Sequence, residues 1–330
     1  MTKTVLLTGI TGFIAKQIAF DLLNQGYKVL GSLRSKKRAD EVREALAGAP
    51  LENLSFVTLD LSFDDGWAEA LSRVDILMHT ASPFPMVAPE DEKELITPAV
   101  EGTVRALRAA QKAGVHRVVL TASMVTIMQV DRPAGHKFGP KDWTDVNDPG
   151  STAYYKSKTL AEKAAWDFTR QHEEMELTTI HPGVVWGTPR DCHYGTSLQI
   201  IERIMGAKDP MQPNIGFPVC DIADVSKLHI DALERPDTIG KRVVCSDSYM
   251  MMPQTAQVMA AAHPDRGIKT KTAPKFLLKA MSWFDPAIKS ILPQLDRKIE
   301  IDNSETKALF DMEFIPAEES VLASAKFVAR

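Results

Sequence analysis

From residue 4 onward the chain alternates short runs of apolar, often β-branched residues with longer segments whose apolar positions recur every three or four residues. The short runs predict strands over residues 4–8, 27–33, 54–59, 74–80, 117–122 and 177–181. The longer segments predict helices over 13–24, 38–47, 65–72, 95–113 and 153–172. In the first helix Ile14, Ile18 and Leu22, with Phe13, Ala19 and Leu23 beside them, form one apolar face, and Gly26 suits the stop that follows. Strand and helix alternating at these lengths is the pattern of βαβ units, so the fold class predicted is α/β, a doubly wound parallel sheet.

Beyond Pro189 the pattern loosens. Residues 205–218 are rich in Pro and Gly, and 250–330 read as short helical segments interrupted at Pro253, Pro264, Pro274, Pro286, Pro293 and Pro316. Such a region makes a poor core by itself. The division expected is a nucleotide-type unit over 1–187, to which 221–247 returns as a helix (221–233) and a strand (242–245). Residues 188–220 and 248–330 form a smaller, mostly helical substrate lobe. No internal repeat or low-complexity tract interrupts the pattern.

Composition narrows the partners. The 330 residues are 44% hydrophobic and carry a formal charge of −4, with both signs interspersed, which offers no basic field to nucleic acid or to an anionic membrane. A small molecule is the expected partner, and the chain is expected to act as a monomer or homodimer. Cys192, Cys220 and Cys245 show no CxxC spacing, and the eight histidines include no HExxH, so no disulfide framework and no metal is expected. Lys3 followed by the apolar run 5–15 superficially matches a secretory leader, but Gly9 and Gly12 break the run, which serves better as strand, turn and helix start. No uncharged stretch supplies the ~20 apolar residues of a spanning helix. A cytoplasmic protein is the expectation.

Chemistry enters at the first strand–helix junction, Thr8-Gly9-Ile10-Thr11-Gly12-Phe13-Ile14-Ala15. Glycines between a strand and a helix let backbone N–H groups approach a pyrophosphate at the positive helix end. An ordinary tight turn would carry such glycines too; the strand before and the helix after favour a dinucleotide and hence a Rossmann unit. Near the end of the second strand stands Arg34, followed by Lys36, Lys37 and Arg38, with no acid before Asp40. A basic side chain there suits a 2′-phosphate, so NADP(H) is preferred and NAD(H) is the second choice. The bland alternative is a solvated basic turn. Asp60, followed by Leu61, stands where an acid can receive the adenine amino group, or it is simply a turn residue.

Tyr154 and Lys158 fall at i and i+4 of a helical segment and so share a face. A phenol with a reference pKa of about 10 exchanges protons poorly near neutrality, and a nearby ammonium together with a cationic nicotinamide would favour the phenolate. Lys158 can also reach ribose hydroxyls. Ser123 follows the fifth strand, where a parallel sheet presents its ligand-facing ends, and its hydroxyl can hold a substrate oxygen beside Tyr154. Each feature alone has a structural explanation; the three at these points of one sheet predict hydride-transfer chemistry on a carbonyl or alcohol.

Together these residues resemble the extended short-chain dehydrogenase/reductase superfamily, most closely its branch of dihydroflavonol reductases, cinnamoyl-CoA reductases and related microbial aldehyde and ketone reductases. The resemblance covers nearly the whole chain and is most specific in its first 200 residues. It implies an NADP(H) oxidoreductase with catalytic Ser123, Tyr154 and Lys158, the family register favouring Tyr154 over its neighbour Tyr155. It implies cofactor contacts at Gly9, Thr11, Gly12, Phe13 and Ile14 for the pyrophosphate, Arg34 and Arg38 for the 2′-phosphate, and Asp60 and Leu61 for adenine. Thr80, Ala81 and Ser82 are implied beside the cofactor, Pro182, Val184 and Val185 against the nicotinamide, and Ser197 at a later phosphate. Ala15 replaces the last glycine of the pyrophosphate pattern and Ala122 stands where another serine is common; neither removes a reacting group. Phe84, Met86, Tyr194 and Phe217 are candidates for an apolar substrate pocket, with Met250, Met251 and Met252 as pocket or core filling. The alternative is an NAD-dependent epimerase acting on a nucleotide sugar. A sugar dehydratase would need an acid pair where Met124 and Val125 stand, and a non-enzymatic relative would have lost the tyrosine and lysine.

Overall fold

Leucine, valine and isoleucine dominate the strands because a parallel sheet is covered on both faces. In the computed structural model, which describes residues 2–83 and 91–329, the strands in chain order are β1 (Thr4–Leu7), β2 (Lys28–Leu33), β3 (Leu54–Thr58), β4 (Ile76–His79), β5 (Arg117–Thr121), β6 (Lys137–Phe138), β7 (Glu176–Pro182), β8 (Val184–Trp186), β9 (Gly216–Asp221), β10 (Arg242–Cys245), β11 (Ser248–Met251) and β12 (Glu300–Ile301). The helices are α1 (Phe13–Asn24), α2 (Ala39–Ala45), α3 (Trp67–Leu71), α4 (Lys93–Lys112), α5 (Ala153–Gln171), α6 (Gly195–Met205), α7 (Ile222–Asp231), α8 (Met252–Ala262), α9 (Lys275–Met281), α10 (Pro286–Ile291), α11 (Ser304–Phe310) and α12 (Ala317–Val328).

The central sheet runs β3-β2-β1-β4-β5-β7-β10, and every neighbouring pair is parallel. Strand order reverses between β1 and β4, so a crevice opens beyond their carboxyl ends, where ligands bind in such sheets. The period-2 alternation of a strand divides the core: Val5 and Leu7 face the layer of α1 and α7, whereas Leu6 faces Leu77, Leu107 and Leu177 on the side of α4 and α5. α1 buries Ala15, Ile18, Ala19, Leu22 and Leu23, the stripe its sequence spacing predicts.

Several elements differ from expectation. The helix expected over 38–47 divides into a 3₁₀ turn (Lys36–Arg38), whose N-cap Ser35 accepts from the Lys37 N–H, and α2. The helix expected over 65–72 is trimmed to α3 behind Gly66, whose φ is +80°. A second sheet, β8-β9-β11, joins residues for which no strand was expected. Its strands are short and Pro218 lies within β9, which hid the period-2 signal. Residues Lys137–Phe138 and Glu300–Ile301 pair as β6 and β12, tying the loop before α5 to the C-terminal region.

The C-terminal region also reaches the central sheet. Phe310, Met312 and Phe314 pack into the cluster that holds Val5, Leu7 and Val243, and α11 lies against β10. A separate cluster buries Leu198, Ile201, Val219, Met250, Met252, Met259 and Val321, together with Trp186 of β8. Among the described residues, no helix is long and apolar enough to cross a membrane.

Candidate active site

The phosphate turn is built from the carboxyl ends of β1 and β4. Thr8 is fully buried and its Oγ1 accepts from the Thr80 and Ala81 N–H groups, each at 3.0 Å. With both lone pairs engaged, its hydroxyl donates to His79 Nδ1 at 2.9 Å. Burial, reinforced by the Lys158 charge, drives the His79 imidazolium down to a pKa of about 3, so this histidine is neutral. The turn is thereby fixed against the second segment that borders the crevice. Gly9 adopts φ +67°, and a Cβ there would stand 3.0 Å from Ala81 Cα, so only glycine keeps both the turn and the gap. The Gly9 N–H donates to Ser32 Oγ at 3.0 Å, and Gly12 caps α1 with the first-turn N–H groups beyond it.

A cleft of about 790 Å³ opens here, lined by Thr8, Gly9, Thr11, Gly12, Ser32, Arg34, Ser35, Arg38, Asp60, Leu61, Thr80, Ala81 and Ser82 among others. Both arginines singled out in the sequence lie in it. Ser32, Ser35 and Ser62 also line it and were not foreseen, since a lone serine in a strand or the loop after one carries no signal of its own. The side chains of Phe13 and Ile14 pack against the core, so what they offer a ligand is backbone. Asp60 turns one oxygen to the Ser62 N–H at 2.8 Å.

Ser123 lies two residues beyond β5, is 9% exposed, and caps the 3₁₀ turn Met124–Thr126 by accepting from the Val125 N–H. α5 begins just after Thr152, whose side chain accepts from the Tyr155 N–H. This start places Tyr154 in the first turn, and its hydroxyl hydrogen-bonds Ser123. Tyr155 turns instead toward the cluster of Met124, Ile127 and Met128, with Arg297 nearby. Burial pushes the Tyr154 phenol up to about 12, with the Ser123 hydrogen bond pulling the other way. Burial brings the Lys158 ammonium down to about 8. The phenol is thus held as a proton donor, whereas the sequence reading anticipated a lowered pKa. That lowering would need the added positive charge of an oxidised nicotinamide.

One turn beyond Lys158, Glu162 is 1% exposed and accepts from Arg242 Nε at 2.7 Å and Nη2 at 3.2 Å, from Trp166 Nε1 at 3.2 Å, and pairs with His181 Nε2 at 2.8 Å. These contacts hold the Glu162 carboxyl far below its usual range despite its burial. Arg242 also donates to the carbonyls of Pro140 and Asp142 at 2.7 and 2.6 Å and to Thr126 Oγ1 at 3.2 Å, and it lies 3.7 Å over the Trp143 ring. One guanidinium therefore joins α5 to the turn that Ser123 opens. Glu162 stands at i+4 from Lys158, which was its only sequence signal; Arg242 had none.

The remaining candidates scatter. Pro182 ends β7 and Val184 and Val185 form β8, Val184 half-buried and Val185 buried. Ser197 is half-buried on α6, its carbonyl accepting from Trp186 Nε1 at 3.0 Å. The Tyr194 ring meets Phe327 edge-on at 5.9 Å and its hydroxyl donates to Glu202, which directs it to the α6–α12 side. Phe217 is half-buried opposite Met250, and Met250, Met251 and Met252 are all buried, as core filling requires. Phe84 and Met86 lie outside the described residues. Among the described residues, Glu41, Asp191 and His193 bring possible ligand atoms within 4.8 Å of one another, but the ammonium of Lys16 already pairs with Glu41 and Asp191.

Comparison with known proteins places the whole chain. The model of the NAD dependent epimerase/dehydratase family matches residues 5–245. A putative NADPH-dependent methylglyoxal reductase of Candida albicans is 31% identical over 97% of this chain and 96% of its own length. A ketoreductase of Aspergillus niger is 33% identical over 80% of this chain and 84% of its own length. The crystal structure of a yeast methylglyoxal/isovaleraldehyde reductase complexed with NADPH superposes with a TM-score of 0.83 at 27% identity, covering 98% of both chains.

Proposed function

Since the chain belongs to the NAD dependent epimerase/dehydratase family, we propose that it is an NADPH-dependent reductase of aldehydes or ketones, able to oxidise the corresponding alcohol in reverse. The observation that carries this reading is the hydrogen-bonded pair Ser123–Tyr154 at the mouth of β5, with Lys158 one turn along α5. NADPH, when bound, supplies the hydride from its nicotinamide C4 to the carbonyl carbon. The protein's part is proton and position. Tyr154 Oη gives its proton to the carbonyl oxygen as negative charge develops there. Ser123 Oγ–H donates to that same oxygen and holds the carbonyl beside the phenol. Lys158, whose ammonium is already destabilised by burial, gains stabilisation from the phenolate left on Tyr154 and offers its donors to the nicotinamide ribose.

The cleft suits the dinucleotide. Gly9 leaves the gap a pyrophosphate needs, Arg34 and Arg38 favour a 2′-phosphate over a free ribose, and Asp60 and Leu61 stand where adenine would lie. Pro182, Val184, Val185 and Ser197 complete the expected cofactor contacts. Phe217 and the segment containing Phe84 and Met86 remain the pocket candidates; Tyr194, engaged with Phe327 and Glu202, is set aside. In the proposed division, 1–187 with 221–247 forms the nucleotide unit and gains 304–314 from the C-terminal region. A cytoplasmic enzyme, acting as monomer or homodimer, fits the charge and cysteine content. The epimerase alternative has the weaker support, since the relatives matched along the chain are named reductases.

The test is the absorbance at 340 nm of purified protein with NADPH or NADH and a panel of aliphatic aldehydes, aromatic aldehydes and ketones. NADPH consumption with some members supports the reading and ranks the substrates. Silence across the panel, with nucleotide already bound to the protein as isolated, returns the epimerase.

A further inference from the structure

Arg34 and Arg38 line the same cleft in different states. Arg34 is exposed, and among the described residues no hydrogen bond or ion pair engages it. Arg38 is held. Its Nε and Nη2 donate to the two oxygens of Glu41 at 2.8 and 2.6 Å, a two-point grip that uses one edge of the guanidinium. Glu41 Oε1 also accepts from Lys16 Nζ at 3.3 Å, and Lys16, whose side chain is 1% exposed, pairs further with Asp191. His193 Nδ1 stands 3.7 Å from both carboxylates. Arg38, Glu41, Lys16 and Asp191 thus form a chain of alternating charges running from the cleft into the turn before α6.

We infer that Glu41 sets the nucleotide preference of this cleft: its carboxylate occupies the Arg38 fork, so a 2′-phosphate must compete for it, whereas a nucleotide with a free ribose leaves the pair intact. The inference rests on the NADPH reading above. Geometry makes the pair displaceable. Arg38 and Glu41 side chains are 42% and 24% exposed, so the pair is screened. Glu41 loses little on release, because Lys16 remains in contact and His193 lies within reach. Arg34 meets the phosphate with no such competitor. The chain therefore holds two arginines of unequal readiness, and Glu41 is a specificity-determining residue that touches no reacting atom.

The test measures binding alone, by the fluorescence of bound reduced nucleotide. Glu41→Gln keeps the size and an oxygen for Lys16 but removes the charge that holds Arg38. The expected result is a roughly fivefold tighter dissociation constant for NADPH, with that for NADH unchanged. The NADPH gain vanishes when Glu41→Gln is placed in an Arg38→Ala background. Weaker NADPH binding in Glu41→Gln would make Glu41 a support of Arg38 and overturn the inference, and an equal gain in the Arg38→Ala background would reduce it to plain repulsion. If Glu41→Gln does not fold, Glu41→Asp serves: it keeps charge near Lys16 but is too short for the two-point grip, and the same direction is expected. A wild-type protein that binds NADPH no better than NADH would instead strike at the cofactor reading itself.

Discussion

At Gly9 the turn and the crevice make the same demand, because φ is +67° and Ala81 Cα stands 3.0 Å from where a Cβ would be. Gly9→Ala is expected to weaken NADPH binding at least tenfold, measured by fluorescence titration, while Gly26→Ala, whose Cβ would meet nothing within 4 Å, leaves it unchanged. Lys158 gives a second prediction through its depressed pKa of about 8. Below that pH the ammonium is charged in both folded and unfolded chains. Between about 8 and the unfolded value near 10.4 the folded state releases its proton first, the unfolded chain binds more protons, and stability rises with pH. The melting temperature of the wild type relative to Lys158→Met should therefore climb between pH 8 and pH 10; a flat difference contradicts the burial of this charge. The placing of Ser123 beyond β5 and of Tyr154 and Lys158 one turn apart on α5 was legible in the sequence because strand-end position and helical spacing are local. The network joining Arg38, Glu41, Lys16 and Asp191 was not, since Asp191 approaches from a distant turn.

Among elements, α5 carries two of the three side chains proposed to react, and it depends on what lies behind it. Glu162 and Arg242 fasten it to β10, to the loop before α5 and to Thr126. Arg242→Ala leaves a buried carboxylate without its guanidinium, with His181 and Trp166 as hydrogen-bond partners, and a loss of about 3 kcal/mol is expected by urea denaturation. Arg242→Lys should recover only part of it, because an ammonium reproduces neither the fork nor the stack on Trp143. The strands of the central sheet were readable because each is a short run rich in apolar and β-branched residues, alternating with helical patterns. The sheet β8-β9-β11 was not: β8 spans Val184–Trp186 only, Pro218 interrupts β9, and both are held by pairing with residues far along the chain. Long-range pairing overrides local composition in such short strands.

For the molecule as a whole, strand order reverses between β1 and β4, and a second buried cluster holding Trp186, Ile201 and Val321 packs apart from the central sheet's own clusters. A nucleotide that binds only the folded chain stabilises it by mass action, about 2.7 kcal/mol at a hundredfold excess over the dissociation constant. NADPH at that excess should raise the melting temperature by about 5 °C, and NADH at the same concentration should raise it less; equal shifts would contradict the role given to Arg34 and Arg38. The fold class was legible from alternation alone. The return of Phe310, Met312 and Phe314 to the sheet's core was not, because three apolar residues at and just beyond the end of a short helix fit either lobe equally well.

The central claim is that Tyr154 delivers the proton in hydride transfer to a carbonyl. Tyr154→Phe keeps the ring and removes the hydroxyl that hydrogen-bonds Ser123. The direct measurement is NADPH consumption at 340 nm by this variant, with the panel's best aldehyde, alongside fluorescence titration of NADPH. A fall of about 10²–10⁴-fold in turnover with the NADPH dissociation constant within twofold of wild type is the predicted result. Turnover at the wild-type rate would contradict it.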